Sequence, residues 1–253
     1  MIYSVGSIFL DHIIKIDNFP KKPVKVIAQG IEKRLGGSAA VASFTIKKLG
    51  LNTSFIGRLG DDDASKYLKS ELRKFNIEHK DVIFIKGAQS SQSYVYEDKN
   101  GERLLAAFSE KKLLNNKKLP KIEFTKNTTF ITDLRWVEAT HYIAKNCQKK
   151  KLNQIVDLDN YKLNTKVKQI INLSSHPIFS ETGSFEYTKI KSIIGSLKKM
   201  YSIKNKFYAI TAGNKGVYWI ENGIVFNCKP PKIKVVETNC AGDVFHGAFA
   251  AFI

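Results

Sequence analysis

Alternation of strand and helix along the C-terminal half is what most limits how this chain can fold. Thr129 to Thr132 reads as a strand, Glu138 to Lys149 as a helix and Gln154 to Leu158 as a strand. Short apolar pieces follow at Ile170 to Leu173 and Pro177 to Phe179, then a helix from Tyr187 to Met200 and a strand from Tyr208 to Thr211. Gly216 to Ile220 and Ile224 to Cys228 form a hairpin about Glu221-Asn222-Gly223. Strands joined through helices lie parallel, and a parallel sheet must be covered on both faces. At 253 residues the chain suits one such α/β domain.

The N-terminal half adds a second kind of element. A strand from Ile2 to Val5 ends at Gly6, and a helix from Ser38 to Leu49 repeats Val41, Phe44, Thr45 and Leu49 at helical spacing before Gly50 stops it. Thr53 to Gly57, Asp61-Asp62-Asp63 and a helix to Phe75 form a strand, a capped turn and a helix. Other stretches are β-rich without helices between them: Ile13 to Ile16, Val24 to Ile31 after Pro20 and Pro23, Val82 to Ile85, Gln92 to Tyr96 and Arg103 to Ala107. They predict a small accessory sheet, from about residues 12–33 and 83–108, inserted into a single domain spanning 1–253. The apolar helix Ala241 to Ile253 finishes without a cap, which reads as a chain truncated or unusually short.

Composition narrows the function. No apolar run reaches the roughly 18 residues of a membrane span, so no membrane role is expected. Without a basic leader ahead of Asp11, and with three scattered cysteines, a cytoplasmic protein without disulfides is predicted. The formal charge of +18 raises nucleic acid as a partner, but only five of the 41 basic residues are Arg. Arg is the residue of bidentate phosphate and guanine recognition. With 28 Ile and 17 Asn beside dispersed Lys pairs, a codon bias explains the charge better, and no nucleic acid partner is expected.

Chemistry concentrates in Val235-Val-Glu-Thr-Asn-Cys-Ala-Gly-Asp-Val-Phe-His-Gly. It reads as a strand end, a small-residue turn and a helix start, where ligands of α/β sheets gather. Backbone N–H groups at Cys240, Ala241 and Gly242 would form an anion hole, with Asp243 in reach of a substrate hydroxyl. That pairing serves phosphoryl transfer to an alcohol. A bare helix-capping acid accounts for Asp243 equally well at this stage.

This segment resembles the second signature of the PfkB (ribokinase-like) sugar kinases, Asp-Thr-x-Gly-Ala-Gly-Asp, with Glu237 and Cys240 in place of its first Asp and first Gly. Three further stretches match in order: Gly6-Ser-Ile-Phe-Leu-Asp11; Gly36-Gly37-Ser-Ala-Ala with Phe55-Ile-Gly-Arg-Leu-Gly-Asp-Asp; and Thr211-Ala-Gly213-Asn-Lys-Gly216. The resemblance implies a Rossmann-like three-layer α/β domain with a β-sheet lid, and transfer of the ATP γ-phosphoryl group to a primary hydroxyl of a sugar. It implies Asp243 as base, Ala241 to Gly242 as anion hole, and Asp11, Gly36 and Gly37 on sugar hydroxyls. Thr211, Gly213 and Gly216 would meet ATP, and Glu181 would organise Mg2+ through water, with Ile178 where the family's motif has Asn. A monovalent cation is a further candidate, and a homodimer through the lid is implied.

Ser90-Ser-Gln92-Ser, Gly101-Glu-Arg103, Asp133-Leu-Arg135-Trp and Phe179-Ser-Glu181 look most like the sulfofructose kinase subgroup. Lys25 on a lid strand and Arg135 beside the strand end would converge on an anionic C6 substituent, with Gln92 and Arg103 beside the substrate. A solvated strand residue is the better account of Lys25, and a surface ion pair with Asp133 or Glu138 is the other account of Arg135. Ala106 or Ala107 occupies the strand position where a hydrogen-bonding side chain is expected. A non-catalytic sugar-binding protein on the same scaffold is the alternative reading.

Overall fold

The computed structural model describes residues 1–235 and 238–253. In chain order its principal elements are β1 (Ile2–Val5), β2 (Phe9–Lys15), β3 (Gly30–Gly36), α1 (Ser38–Lys48), β4 (Thr53–Ile56), β5 (Arg58–Leu59), α2 (Asp63–Lys74), β6 (Ile83–Phe84), β7 (Gln92–Glu97) and β8 (Arg103–Phe108). There follow α3 (Lys111–Leu114), β9 (Thr129–Asp133), α4 (Val137–Lys150), β10 (Asn153–Leu158), α5 (Thr165–Leu173), β11 (His176–Ser180), α6 (Glu181–Thr188) and α7 (Ile193–Ile203). The chain closes with β12 (Tyr208–Thr211), β13 (Val217–Glu221), β14 (Ile224–Cys228) and α8 (Ala241–Phe252).

The main sheet runs β14-β13-β12-β11-β10-β9-β1-β4, parallel from β12 to β4 and antiparallel at the terminal hairpin. Helices α1 and α8 cover one face, burying Ile46, Ile131, Ile155, Ile178 and Ala250. On the other, Ile143 of α4 packs with Val5 and Phe130, and Leu197 of α7 packs with Val156 and Ile210. Gly247 lets α8 cross α1 closely, since a Cβ there would lie 2.6 Å from the Ala42 carbonyl oxygen. Strand β1 lies between β4 and β9, and the order of succession reverses there, so a crevice opens at the C-terminal ends of β1 and β9.

A second sheet, β3-β2-β7-β8, stands over that crevice. Asp11, Ser93 and Ala107 form one cross-strand row, and His12, Tyr94 and Ala106 the next. Because successive strand residues face opposite ways, these rows belong to opposite faces.

Several local expectations are corrected. Pairing between β2 and β3 starts at Gln29, whose N–H donates to the Lys15 carbonyl, so Val24 to Ala28 form an irregular connection and Lys25 lies outside any strand. Ile83–Phe84 pairs with Arg58–Leu59 instead of joining the second sheet. Ile170 to Leu173 ends a longer helix that Asn164 caps by accepting from Val167 N–H. The helix expected over Tyr187 to Met200 is two helices, divided where Lys189 turns left-handed and Ser192 caps the second. No strand is formed over Lys229 to Val235, and Glu237 lies outside the described residues.

Candidate active site

The crevice holds a cleft of about 620 Å3, lined by Gly6, Ser7, Asp11, Gly37, Ser38, Arg58, Ser91, Ser93, Leu105, Ala107, Arg135, Cys240 and Asp243 among others. A neighbouring cleft of about 410 Å3 shares Ser38, Leu134, Arg135 and Asp159 with it, and adds Asp133, Asp157 and Lys162.

Asp133, at the end of β9, knits the crevice together. It is 3% exposed, and one carboxylate oxygen accepts from the Ser7 N–H and the Ser7 hydroxyl, each at 2.7 Å, and from Ala39 N–H at 3.3 Å. The other oxygen accepts from Arg135 N–H at 2.9 Å. Gly6 makes room for it, since a Cβ there would overlap the Asp133 carboxylate. The carboxylate thus fixes the β1 turn, the start of α1 and the turn after β9 against one another.

The second sheet supplies Asp11. Ser93 Oγ donates to its Oδ1 at 2.5 Å, and burial raises its proton affinity above the ordinary aspartate value. A Cβ at Gly36 would overlap the Asp11 carboxylate, and Gly37 turns with φ +94° against the backbone of Ser7 and Ile8. These glycines therefore admit Asp11 and set the chain direction into α1.

Asp243 sits in the first turn of α8. Burial pushes its carboxyl up to about 6; nearby Asp157 adds to the rise, while a hydrogen bond from Ser38 and the proximity of His246 oppose it. Cys240, the residue before the helix, takes the left-handed φ of 58° that suits glycine, and no side chain caps this terminus. The Ala241 N–H donates back to the Thr238 carbonyl at 3.3 Å, which removes it from the expected run of outward donors. Gly242 and Asp243 N–H are first-turn donors with no acceptor inside the helix, and a Cβ on Gly242 would meet open space.

Thr211 ends β12, its hydroxyl donating to the Phe179 carbonyl at 3.3 Å. The turn after it closes through Lys215 N–H to Ala212 and Gly216 N–H to Gly213. Gly213 has φ +51° with open space around it, whereas a Cβ on Gly216 would overlap the Cys228 carbonyl. Glu181, opening α6, pairs with Lys215 at 3.0 Å, which brings it beside this turn. Ile178 is fully buried within β11.

Of the remaining sequence-derived candidates, Lys25, Gln92 and Arg103 lie elsewhere. Lys25 is exposed in the β2–β3 connection and does not line the cleft. Gln92 points to the far face of the second sheet, where its Oε1 meets His12 Nε2 at 2.9 Å. Arg103 pairs with Glu97 at 3.6 Å toward the hairpin end of β7 and β8, away from the cleft-lining Leu105 and Ala107. Arg135 does line the cleft, with an exposed side chain that makes no ion pair among the described residues. Sequence reasoning passed over Arg58, which is 8% exposed, stacks 4.8 Å from the Trp136 ring centroid and donates to the carbonyls of Leu114 and Arg135. It also chose Gln92 over Ser93; the alternation of β7 against Asp11 is the signal that would have reversed that choice.

Solved ribokinases share this architecture. The structure of Arabidopsis thaliana ribokinase complexed with ribose and ATP superposes with a TM-score of 0.83 at 21% identity, covering 99% of this chain and 84% of that one. The fold is ribokinase-like. The chain belongs to the pfkB family of carbohydrate kinases, whose model matches residues 1–253. It is 21% identical to a nucleoside kinase of Methanocaldococcus jannaschii over 98% of this chain and 82% of that protein. A Solanum tuberosum fructokinase is 27% identical over 103 residues, which is 41% of this chain and 31% of that enzyme.

Proposed function

We propose that this chain transfers the γ-phosphoryl group of MgATP to a primary hydroxyl of a sugar, a ketose or sulfoketose, with Asp243 as the base. The observation that carries the reading is one cleft lined both by Asp243, at a helix N-terminus, and by Asp11 with Ser93. Asp11 and Ser93 would hold sugar hydroxyls, and Gly37 would let the sugar approach the backbone. Asp243 would accept the hydroxyl proton as the oxygen attacks, and the free N–H groups of Gly242 and Asp243 would favour negative charge at the transferring group. The second sheet would serve as the lid that excludes water.

The residues fit the nucleotide and its metal. Gly213 offers an open left-handed turn beside Thr211 for phosphates, and Glu181 stands next to it for the hydrated metal. No group of three or more His, Cys, Asp or Glu among the described residues could hold a metal. That suits Mg2+, which keeps several waters and leans on substrate phosphates. When bound, Mg2+ would supply charge neutralisation to those phosphates.

Two features bear on the acceptor. The Arg135 side chain and the buried Arg58 guanidinium both line the cleft, and together they favour an anionic substituent. Ala107 stands in the row of Asp11 and Ser93, where it offers such a substituent no hydrogen bond.

The pH dependence tests the assignment of the base. Asp243 must be ionised to accept a proton, so kcat/KM should fall as pH drops through about 6. A flat profile from pH 8 to 5 would remove Asp243 from that role.

We also propose a homodimer through the other face of the second sheet, supported by the exposed row of Ile31, Tyr96 and Leu104. Sedimentation should give twice the 28.6 kDa chain mass; a monomer at micromolar concentration would refute it.

A further inference from the structure

One turn along α8 from Asp243 begins a polar pair that the proposed chemistry leaves unused. His246 is 4% exposed, and Asp157, at the end of β10, is 8% exposed. The two approach at 3.7 Å, His246 Nε2 to Asp157 Oδ1. His246 Nδ1 lies 2.7 Å from the Gly242 carbonyl oxygen. That oxygen can only accept, so Nδ1 carries a proton. Nε2 has no hydrogen-bond partner and faces a carboxylate oxygen. Asp157 Oδ1 accepts from Asp159 N–H at 3.1 Å, yet an unprotonated Nε2 would still set a lone pair against that oxygen in a buried site, so a further proton belongs to the pair, on Nε2 or on Asp157. In either placement the pair is neutral.

Neutrality here bears on Asp243. The charges that bear on its ionisation are those of Asp157 on β10, Asp133 on β9 and His246 on its own helix, and the Ser38 side chain of α1 hydrogen-bonds to it. Asp157 in turn meets Asp133, Asp159 and His246. Arg135 and Lys162 line the adjoining cleft, and Arg58 stands near Asp133. An unneutralised Asp157 would place another negative charge next to Asp243 and oppose its ionisation.

We propose that His246 is a positioning residue for Asp243: it shares one proton with Asp157, cancels that carboxylate's charge, and so leaves Asp243 as the ionised base of the cleft. The inference rests on the reading of Asp243 as the base. It differs from packing alone because it makes the proton equilibrium of Asp243 depend on residue 246 only while residue 157 is an acid.

The test is a pH titration of the Asp243 carboxyl carbon by NMR in 13C-aspartate-labelled protein, its resonance assigned by its loss in Asp243→Asn. In His246→Gln, which offers Asp157 a neutral partner, the midpoint should rise by about one unit. Adding Asp157→Asn should bring it back close to the wild-type value. A midpoint unmoved by His246→Gln, or an equal rise in the double variant, would overturn the proposal. The wild-type protein offers a check independent of how the variants fold. With 15N-histidine labelling, His246 Nδ1 should be protonated at neutral pH, and a bare Nδ1 would remove the premise. The two readings fail separately. Full turnover by Asp243→Asn would refute the base itself, whereas an inactive Asp243→Asn with an unmoved His246→Gln midpoint would refute only the role of His246.

Discussion

Replacing Asp243 with Asn should cut sugar-dependent ADP formation by about a thousandfold, within the range that a positioned general base contributes, while the protein becomes more stable. The first effect follows because an amide at this position cannot take the hydroxyl proton. The second follows from the sign of the pKa shift. Burial raises the Asp243 carboxyl to about 6 from its ordinary 3.8. A group whose folded pKa lies above its unfolded value contributes stability below the unfolded pKa and loses it as pH rises through the folded one. Ionised Asp243 therefore costs the fold up to about 3 kcal/mol above pH 6, less where solvent reaches the half-buried side chain. An uncharged Asn should remove that cost. The melting temperature of Asp243→Asn should exceed that of the wild type by more at pH 8 than at pH 5. An acid kept only to cap α8 would behave in the opposite way, losing stability with little loss of turnover.

Asp133→Ala should do the reverse and attack the fold. Removing the carboxylate leaves the Ser7 N–H and hydroxyl and the N–H groups of Ala39 and Arg135 without their acceptor, in a region where Asp133 is almost wholly buried. Each orphaned buried donor costs on the order of 1 kcal/mol or more, so the loss should reach about 3 kcal/mol. Urea unfolding monitored by circular dichroism reads it as a lower midpoint. A loss below about 1 kcal/mol would mean that water replaces the carboxylate at little cost. The same bonds tie β1, α1 and the turn bearing Arg135, so the variant should also bind sugar poorly where it remains folded.

The parts of the molecule that could be read from the chain are those set by local chemistry. Gly50 ends α1, and Asp62 caps α2 by accepting from Ser65 N–H. The helical spacing of Val41, Phe44 and Thr45 gave α1, and the Asn222-Gly223 turn gave the hairpin β13–β14. Asp243 stood out because a small-residue turn before an apolar helix is where ligands of α/β sheets gather, although the strand expected ahead of that turn is not formed over Lys229 to Val235. What escaped was set by pairing between distant segments. Ser7 and Asp133 are 126 residues apart and meet only because β1 and β9 are neighbours in the sheet. Ser93 became a cleft residue, and Gln92 did not, through the register of β7 against β2. Lys25 looked like a strand residue by composition, but the β2–β3 hairpin pairs only from Gln29 onward. The break at Lys189 was hidden because neither Gly nor Pro marks it.

The central claim is sugar phosphorylation, and ADP release from MgATP across a panel of sugars tests it most directly. The panel would hold D-fructose, a phosphorylated ketose, a sulfoketose, D-ribose and a nucleoside. We expect release that depends on a ketose or sulfoketose and falls about a thousandfold in Asp243→Asn. ADP release that no sugar stimulates, with tight sugar binding measured on the same protein by calorimetry, would contradict the account and leave a sugar-binding protein on a kinase scaffold.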